Sequence, residues 1–277
     1  AGHSLVFVRG NHDVEFYWEA AQRAFLDALL ERVEEPEFRE DAASRRVFEG
    51  RVEFHHWFYY VRGLLYVEHG HQYDATCAYH HLLAPRSPRD PRRISYSFSD
   101  ILLRYVVQPT RELSVDGHEN KSLPHYLRLA FSLGLHGCAK LGYRFFSAVG
   151  RMVSAWREQL SEHAAHIRAE HEQRIQQIGG MVRVSTENLR AMTQLWATPV
   201  TSGLIPILRT VFLDGLAAGF CAGALLGLLA LCGVLSWTWL PLWLGGVAAA
   251  VFVYVKFSRG YEPHSALRRG ASKLAQL

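Results

Sequence analysis

Hydrophobic spacing divides the chain into segments of different period. Leu5–Val8 is a short apolar run that stops at Arg9-Gly10-Asn11-His12-Asp13, the pattern of a strand ending in a polar turn. Over residues 14–33 the apolar positions Phe16/Tyr17, Ala20/Ala21, Ala24/Phe25, Ala28/Leu29 and Val33 recur at helical spacing. The charged stretch Glu31–Ala43 contains Pro36 and reads as a loop or a broken helix. Two more strand-like runs follow, Val52–Tyr60 and Leu64–Val67, the second ending in Glu68-His69-Gly70-His71-Gln72-Tyr73-Asp74. Residues 84–93 hold three prolines and four arginines and form a loop, either solvated or against anionic headgroups. Residues 97–109 and 123–150 read as fairly apolar helices. Residues 151–178 read as a long polar helix whose stripe is Val153, Trp156, Leu160, Ala164, Ile167 and Ile178, broken by Gly179-Gly180. Ser185 caps a further helix that runs to about Trp196, before Pro199.

The pattern changes at Gly215. From there to Val255 no Asp, Glu, Lys or Arg occurs. This predicts two membrane spans, about Gly215–Leu235 and Trp239–Val255, joined at Ser236-Trp237-Thr238; the other reading is a buried helical hairpin. Trp237, Trp239 and Trp243 near the turn suit a lipid–water boundary. Gly219, Gly223 and Gly227 allow close helix approach. Arg209 precedes the first span, and Lys256, Arg259, Arg268, Arg269 and Lys273 follow the second, so the positive-inside rule places both ends of the hairpin and the rest of the chain in the cytoplasm. The expected location is a bacterial-type inner membrane, with the lipid bilayer as a partner.

Composition limits the alternatives. The 277 residues are 49% hydrophobic and 20% charged, enough for a core and incompatible with global disorder. A net charge of +4 without a basic, aromatic-interleaved stripe argues against nucleic acid as a partner. Cys77, Cys138, Cys221 and Cys232 show no C-x-x-C spacing, which excludes a disulfide scaffold and a structural zinc site. Fifteen histidines direct attention to metal and acid–base chemistry.

Two strands therefore end in Gly/His/Asp clusters. In Gly10-Asn11-His12-Asp13, glycine permits a sharp turn, asparagine offers a neutral oxygen, histidine a ring nitrogen and aspartate an anion to hold that ring. This segment resembles a metal motif of the calcineurin-like metallophosphoesterases. Glu68-His69-Gly70-His71-Gln72-Tyr73-Asp74 resembles the downstream His-Gly motif of the same superfamily, in the version of the bacterial branch related to UDP-2,3-diacylglucosamine hydrolases. The resemblance covers roughly residues 1–125 and implies an α/β (α+β) fold: a partial metallophosphoesterase sandwich with a mainly helical insertion and a two-helix transmembrane hairpin. The implied division is 1–110 for the partial catalytic domain, 111–205 for the insertion, 206–258 for the hairpin and 259–277 for a returning segment. It implies two divalent ions (Mn, Fe or Zn) that activate a hydroxide for attack on phosphorus. Asn11 and His69 are the metal ligands it carries over. His12 faces the leaving oxygen, Asp13 orients His12, and Gly10 permits the turn. His71 and Asp74 support the ligands from behind. Packing or surface roles are expected for His55, His56, His80 and His81, and for His163, His166 and His171 on the polar helix.

The family's Asp-x-His and Gly-Asp-x-x-Asp motifs, expected upstream of Gly10-Asn11-His12-Asp13, are missing there, and its last motif, Gly-His-x-His, is missing downstream. The expectation is an internal fragment that is inactive by itself; the other reading is a degenerate site. The function expected of the complete protein is metal-dependent phosphoester or pyrophosphate hydrolysis at the cytoplasmic membrane face, on a phosphorylated small molecule that includes lipid-linked ones. The alternatives are a phosphodiesterase of soluble substrates and a non-catalytic membrane scaffold.

Overall fold

The computed structural model describes residues 3–32, 41–110, 123–211, 213–233, 238 and 241–249. Strand β1 (Leu5–Val8) pairs in parallel with β2 (Val52–His55), with Leu5 opposite Val52 and Val8 opposite His55. A parallel pair needs a crossover between its strands. Helix α1 (Glu19–Leu30) and helix α2 (Ala42–Glu49) lie within that crossover. Four rings fasten it to the strands: Phe7 stacks on Phe54 at 5.5 Å, and Phe25 meets Phe7 edge-on at 4.8 Å and Phe16 at 5.3 Å. Edge-to-face and offset pairs of this kind add about 0.5–1.5 kcal/mol each beyond area burial. Strands β3 (Phe58–Val61) and β4 (Leu65–Glu68) form an antiparallel hairpin. The apolar run expected as one strand over Val52–Tyr60 is thus split, and buried Trp57 lies at the break.

After β4 the chain runs from Gly70 to Ser97 with little regular structure, and the helical half holds it in place. Ala197 N donates to Gln72 O and Val200 N to Ala75 O, each at 2.9 Å, and Leu83 N donates to His171 Nδ1 at 3.2 Å. Arg86 pairs with Glu170. The helices are α3 (Phe98–Leu102, continued by a π-helical turn over Leu103–Val107), α4 (Leu123–Gln159, kinked at Gly134), α5 (Ala164–Val182), α6 (Thr186–Thr193), α7 (Leu204–Thr210), α8 (Leu213–Leu231) and α9 (241–249). One core joins Val14, Trp57, Tyr79, Leu83, Ile175 and Leu189, closing α5 and α6 over the segment that follows the hairpin. A second joins Phe98, Ile101, Met152, Val200 and Ile207, closing α3 against α4 and α7.

The structure corrects the expected architecture. Among the described residues there are four strands of four residues each, in two separate two-stranded sheets, so no β-sandwich forms; most of the chain is helical. The transmembrane hairpin is also overturned, because among the described residues no helix is long and apolar enough to cross a membrane. The first expected span, Gly215–Leu235, falls in α8 only as far as Leu231, and the 19 residues of that helix rise about 28 Å against a hydrocarbon core of about 30 Å; residues 234–235 lie outside the described residues. The second is described only over 241–249, about 14 Å of helix; its remainder, and the expected returning segment 259–277, lie outside the described residues. Leu225, Leu228, Leu231, Leu242, Trp243 and Leu244 are exposed.

Candidate active site at two strand ends

The turn after β1 begins with a buried cation. Arg9 N extends the β1–β2 ladder by donating to His55 O at 2.9 Å. Its guanidinium donates to Leu82 O and stands 3.4 Å from His56 Nδ1. Burial lowers the Arg9 pKa to about 10, which still leaves it charged at neutral pH. The same burial, with Arg9 alongside, pushes His56 down to about 3.

Gly10 is required by contact rather than by dihedral angle. A Cβ on Gly10 would lie 2.6 Å from His69 Nε2 and 2.8 Å from Asp13 Oδ1. Contacts that close do not exist for real side chains, so the missing Cβ is what allows the imidazole of residue 69 to lie on the turn at residue 10. Gly10 N donates to Asp13 Oδ1 at 2.7 Å, which closes the turn. The second cluster is turned in by Gly70, whose φ of 83° lies in the left-handed region open to glycine. It ends β4 and starts a single 3₁₀ turn, His71–Tyr73, all of it buried. His69 and His71 face each other, Nδ1 to Nδ1, at 3.2 Å.

The two clusters therefore meet. Asn11 is buried; its amide nitrogen lies 3.3 Å from His12 Nε2 and 3.4 Å from Ser99 Oγ. His12 is the open member, with 59% of its side chain exposed. Its Nδ1 lies 3.3 Å from Oδ1 of Asp100, whose side chain is 1% exposed. Asp100 sits in the first turn of α3; its Oδ2 accepts from Ser97 Oγ at 2.8 Å and from Tyr79 Oη. Tyr79 Oη also reaches Asn11 O at 2.8 Å. Burial and the neighbouring Asp100 charge raise the Tyr79 pKa well above its ordinary value, so the phenol remains a donor. Burial, with His69 alongside, lowers His71 to about 3, so its ring is neutral; its Nε2 is buried with no hydrogen-bond partner among the described residues.

Gly10, Asn11, His12, Asp13, His69 and His71 come together. The Asp74 carboxylate accepts from Thr76 N and Thr76 Oγ1, both at 2.8 Å, and so shapes the turn after His71. Asp13 closes its own turn, and the carboxylate beside His12 is Asp100. His55 pairs with Glu53 at 3.0 Å, His80 meets Thr201 Oγ1 at 3.1 Å, and His81 packs on His171 with ring centroids 5.7 Å apart. Asp100, Tyr79 and Arg9 escaped the sequence reading. Ser97-x-x-Asp100 is a helix-start pattern, and it does cap α3, with Ser97 Oγ accepting from Asp100 N at 3.3 Å.

A two-ion centre does not fit these residues. Asn11 and His69 are two donors, and among the described residues no group of three or more His, Cys, Asp or Glu stands where it could hold a metal ion. The metal-binding expectation is corrected to that extent: the cluster offers part of one ion's shell. What the arrangement offers by itself is a solvent-facing imidazole backed by a buried carboxylate, a buried asparagine, and a buried positive charge behind the turn. No family model matches the chain, and neither a curated protein nor a solved structure matches it.

Proposed function

We propose that the chain carries one half of a phosphoester-hydrolysing site, with His12 at the departing oxygen. The observation that supports this best is the packing of His69 on Gly10, which brings the two strand-end clusters into one place. His12 is exposed enough to reach a substrate and has a ring nitrogen to give or take a proton. The Asn11 amide lies beside that ring and has an oxygen left for a cation or a hydroxyl. Arg9 contributes a positive charge from low-dielectric surroundings, which favours an anionic ester over a neutral one. Asn11 and His69 supply two ligands to a divalent ion, and the ion needs others. With these two donors alone the chain is expected to show no phosphoesterase activity, and its full reading frame is expected to show it only where it adds carboxylate and histidine ligands.

The donor count also favours a second reading, a non-catalytic domain on which the cluster only holds the fold. Hydrolysis of bis-p-nitrophenyl phosphate with Mn²⁺, by this chain and by its complete gene product, separates the two. Turnover is expected in the complete product alone, with a fall of about 10²–10⁴ in kcat for His12→Ala. Turnover by the chain alone, or an unchanged kcat in His12→Ala, contradicts the proposal.

A further inference from the structure

We infer that Asp100 is the positioning carboxylate of His12 and fixes its proton on Nδ1; the purpose of this pair rests on the phosphoesterase reading, but its geometry does not. His12 Nε2 lies 3.3 Å from the Asn11 amide nitrogen, which can only donate, so Nε2 accepts. The single proton of the neutral ring is then on Nδ1, and Nδ1 faces Asp100 Oδ1 at 3.3 Å.

Oδ2 of Asp100 already receives Ser97 Oγ and Tyr79 Oη. Oδ1 is buried and has no hydrogen-bond partner among the described residues. A buried carboxylate oxygen without a donor is costly, and the His12 N–H is the donor within reach. Tyr79 Oη also touches the Asn11 carbonyl, so one phenol ties the carboxylate to the peptide just before His12. Asp13, the nearer carboxylate in sequence, has Oδ1 committed to Gly10 N. With Nδ1–H directed at Asp100, the Nε2 lone pair faces the Asn11 amide, which must turn aside before that nitrogen can meet a substrate.

The test reads the tautomer and needs neither activity nor metal. Ring ¹⁵N shifts of His12 in alkaline buffer are expected to report Nδ1–H in the wild-type chain. In Asp100→Asn, the new amide oxygen stays with its two hydroxyl donors and its NH₂ group turns to His12. Nδ1 then accepts, the ring proton moves to Nε2, and the Asn11 amide turns over to present its oxygen to that proton. Asp13→Asn keeps the Nδ1–H form. An Nε2–H ring in the wild type, an unchanged tautomer in Asp100→Asn, or inversion in Asp13→Asn overturns the assignment. Should Asp100→Asn fail to fold, the wild-type and Asp13→Asn tautomers still decide. An Nδ1–H ring in a complete gene product that hydrolyses no phosphoester retains the pair and removes the proposed function. Hydrolysis by a product whose His12 is Nε2–H removes Asp100 and retains the function.

Discussion

At the scale of residues, the site depends on one missing carbon. Gly10 has φ within the ordinary range, yet a side chain there would overlap His69 Nε2 at 2.6 Å and Asp13 Oδ1 at 2.8 Å. Gly10→Ala is therefore expected to push His69 off the turn. The expected cost is about 1–3 kcal/mol in urea unfolding, with the His69 ring resonances displaced from their wild-type positions. Unchanged stability together with unchanged His69 resonances contradicts the contact. The cluster Gly10-Asn11-His12-Asp13 was legible in sequence because it is local, but glycine was expected there for a sharp turn and its contact with His69 was not. Asp100 was not legible. It lies far along the chain from His12, and Ser97-x-x-Asp100 reads first as a helix cap, which it also is. Pairing across that distance depends on where Tyr79 and α3 pack, and hydrophobic spacing does not encode that.

At the scale of elements, local signals were read well and their limits less well. Ser185 caps α6 as expected, accepting from Asn188 N at 3.2 Å. Gly179-Gly180 was expected to end the polar helix, but α5 runs through both to Val182 and stops at Arg183 in the left-handed conformation. A glycine pair costs a helix about 2 kcal/mol relative to alanine, and packing can offset that: a Cβ on Gly179 would lie 3.4 Å from Leu189 Cδ1, so α6 closes directly on this turn. Helix α4 likewise passes the boundary expected after residue 150 and continues to Gln159. The histidines show what α5 does for the fold. His171 accepts Leu83 N and packs on His81, joining the helix to the segment between the hairpin and α3. Burial lowers both rings to about 4, from 6.5 when unfolded, so they are neutral in the folded chain. As pH falls, the unfolded chain takes up these protons first. The stability they contribute is complete above pH 6.5 and is lost as pH falls from there towards 4. His81→Leu removes one such group, worth roughly 3 kcal/mol at most. A thermal-melt series across that window is expected to fall less steeply for His81→Leu than for the wild type; parallel series contradict the assignment.

At the scale of the whole molecule, two cores meet around one irregular stretch. The segment from Gly70 to Ser97 receives backbone hydrogen bonds from Ala197 and Val200, the His171 contact and the Arg86–Glu170 ion pair. The helical half thereby holds the second histidine cluster against the first. The long uncharged stretch misled the sequence reading for a physical reason. Hydropathy reports a preference for apolar surroundings, not the length over which one helix persists. Here α8 leaves a row of leucines exposed, a surface of the kind that meets another protein or lipid. We propose that Asn11 and His69, carried by strand ends that the packing of His69 on Gly10 brings together, face one cation. Paramagnetic broadening by Mn²⁺ in the NMR spectrum of this chain tests it most directly, since it detects even a weak ion held by two donors. The Asn11 side-chain amide and the His69 ring are expected to broaden together before any other resonance, and Asn11→Ala and His69→Ala are each expected to abolish the effect. Broadening that begins elsewhere, or that survives both substitutions, contradicts it.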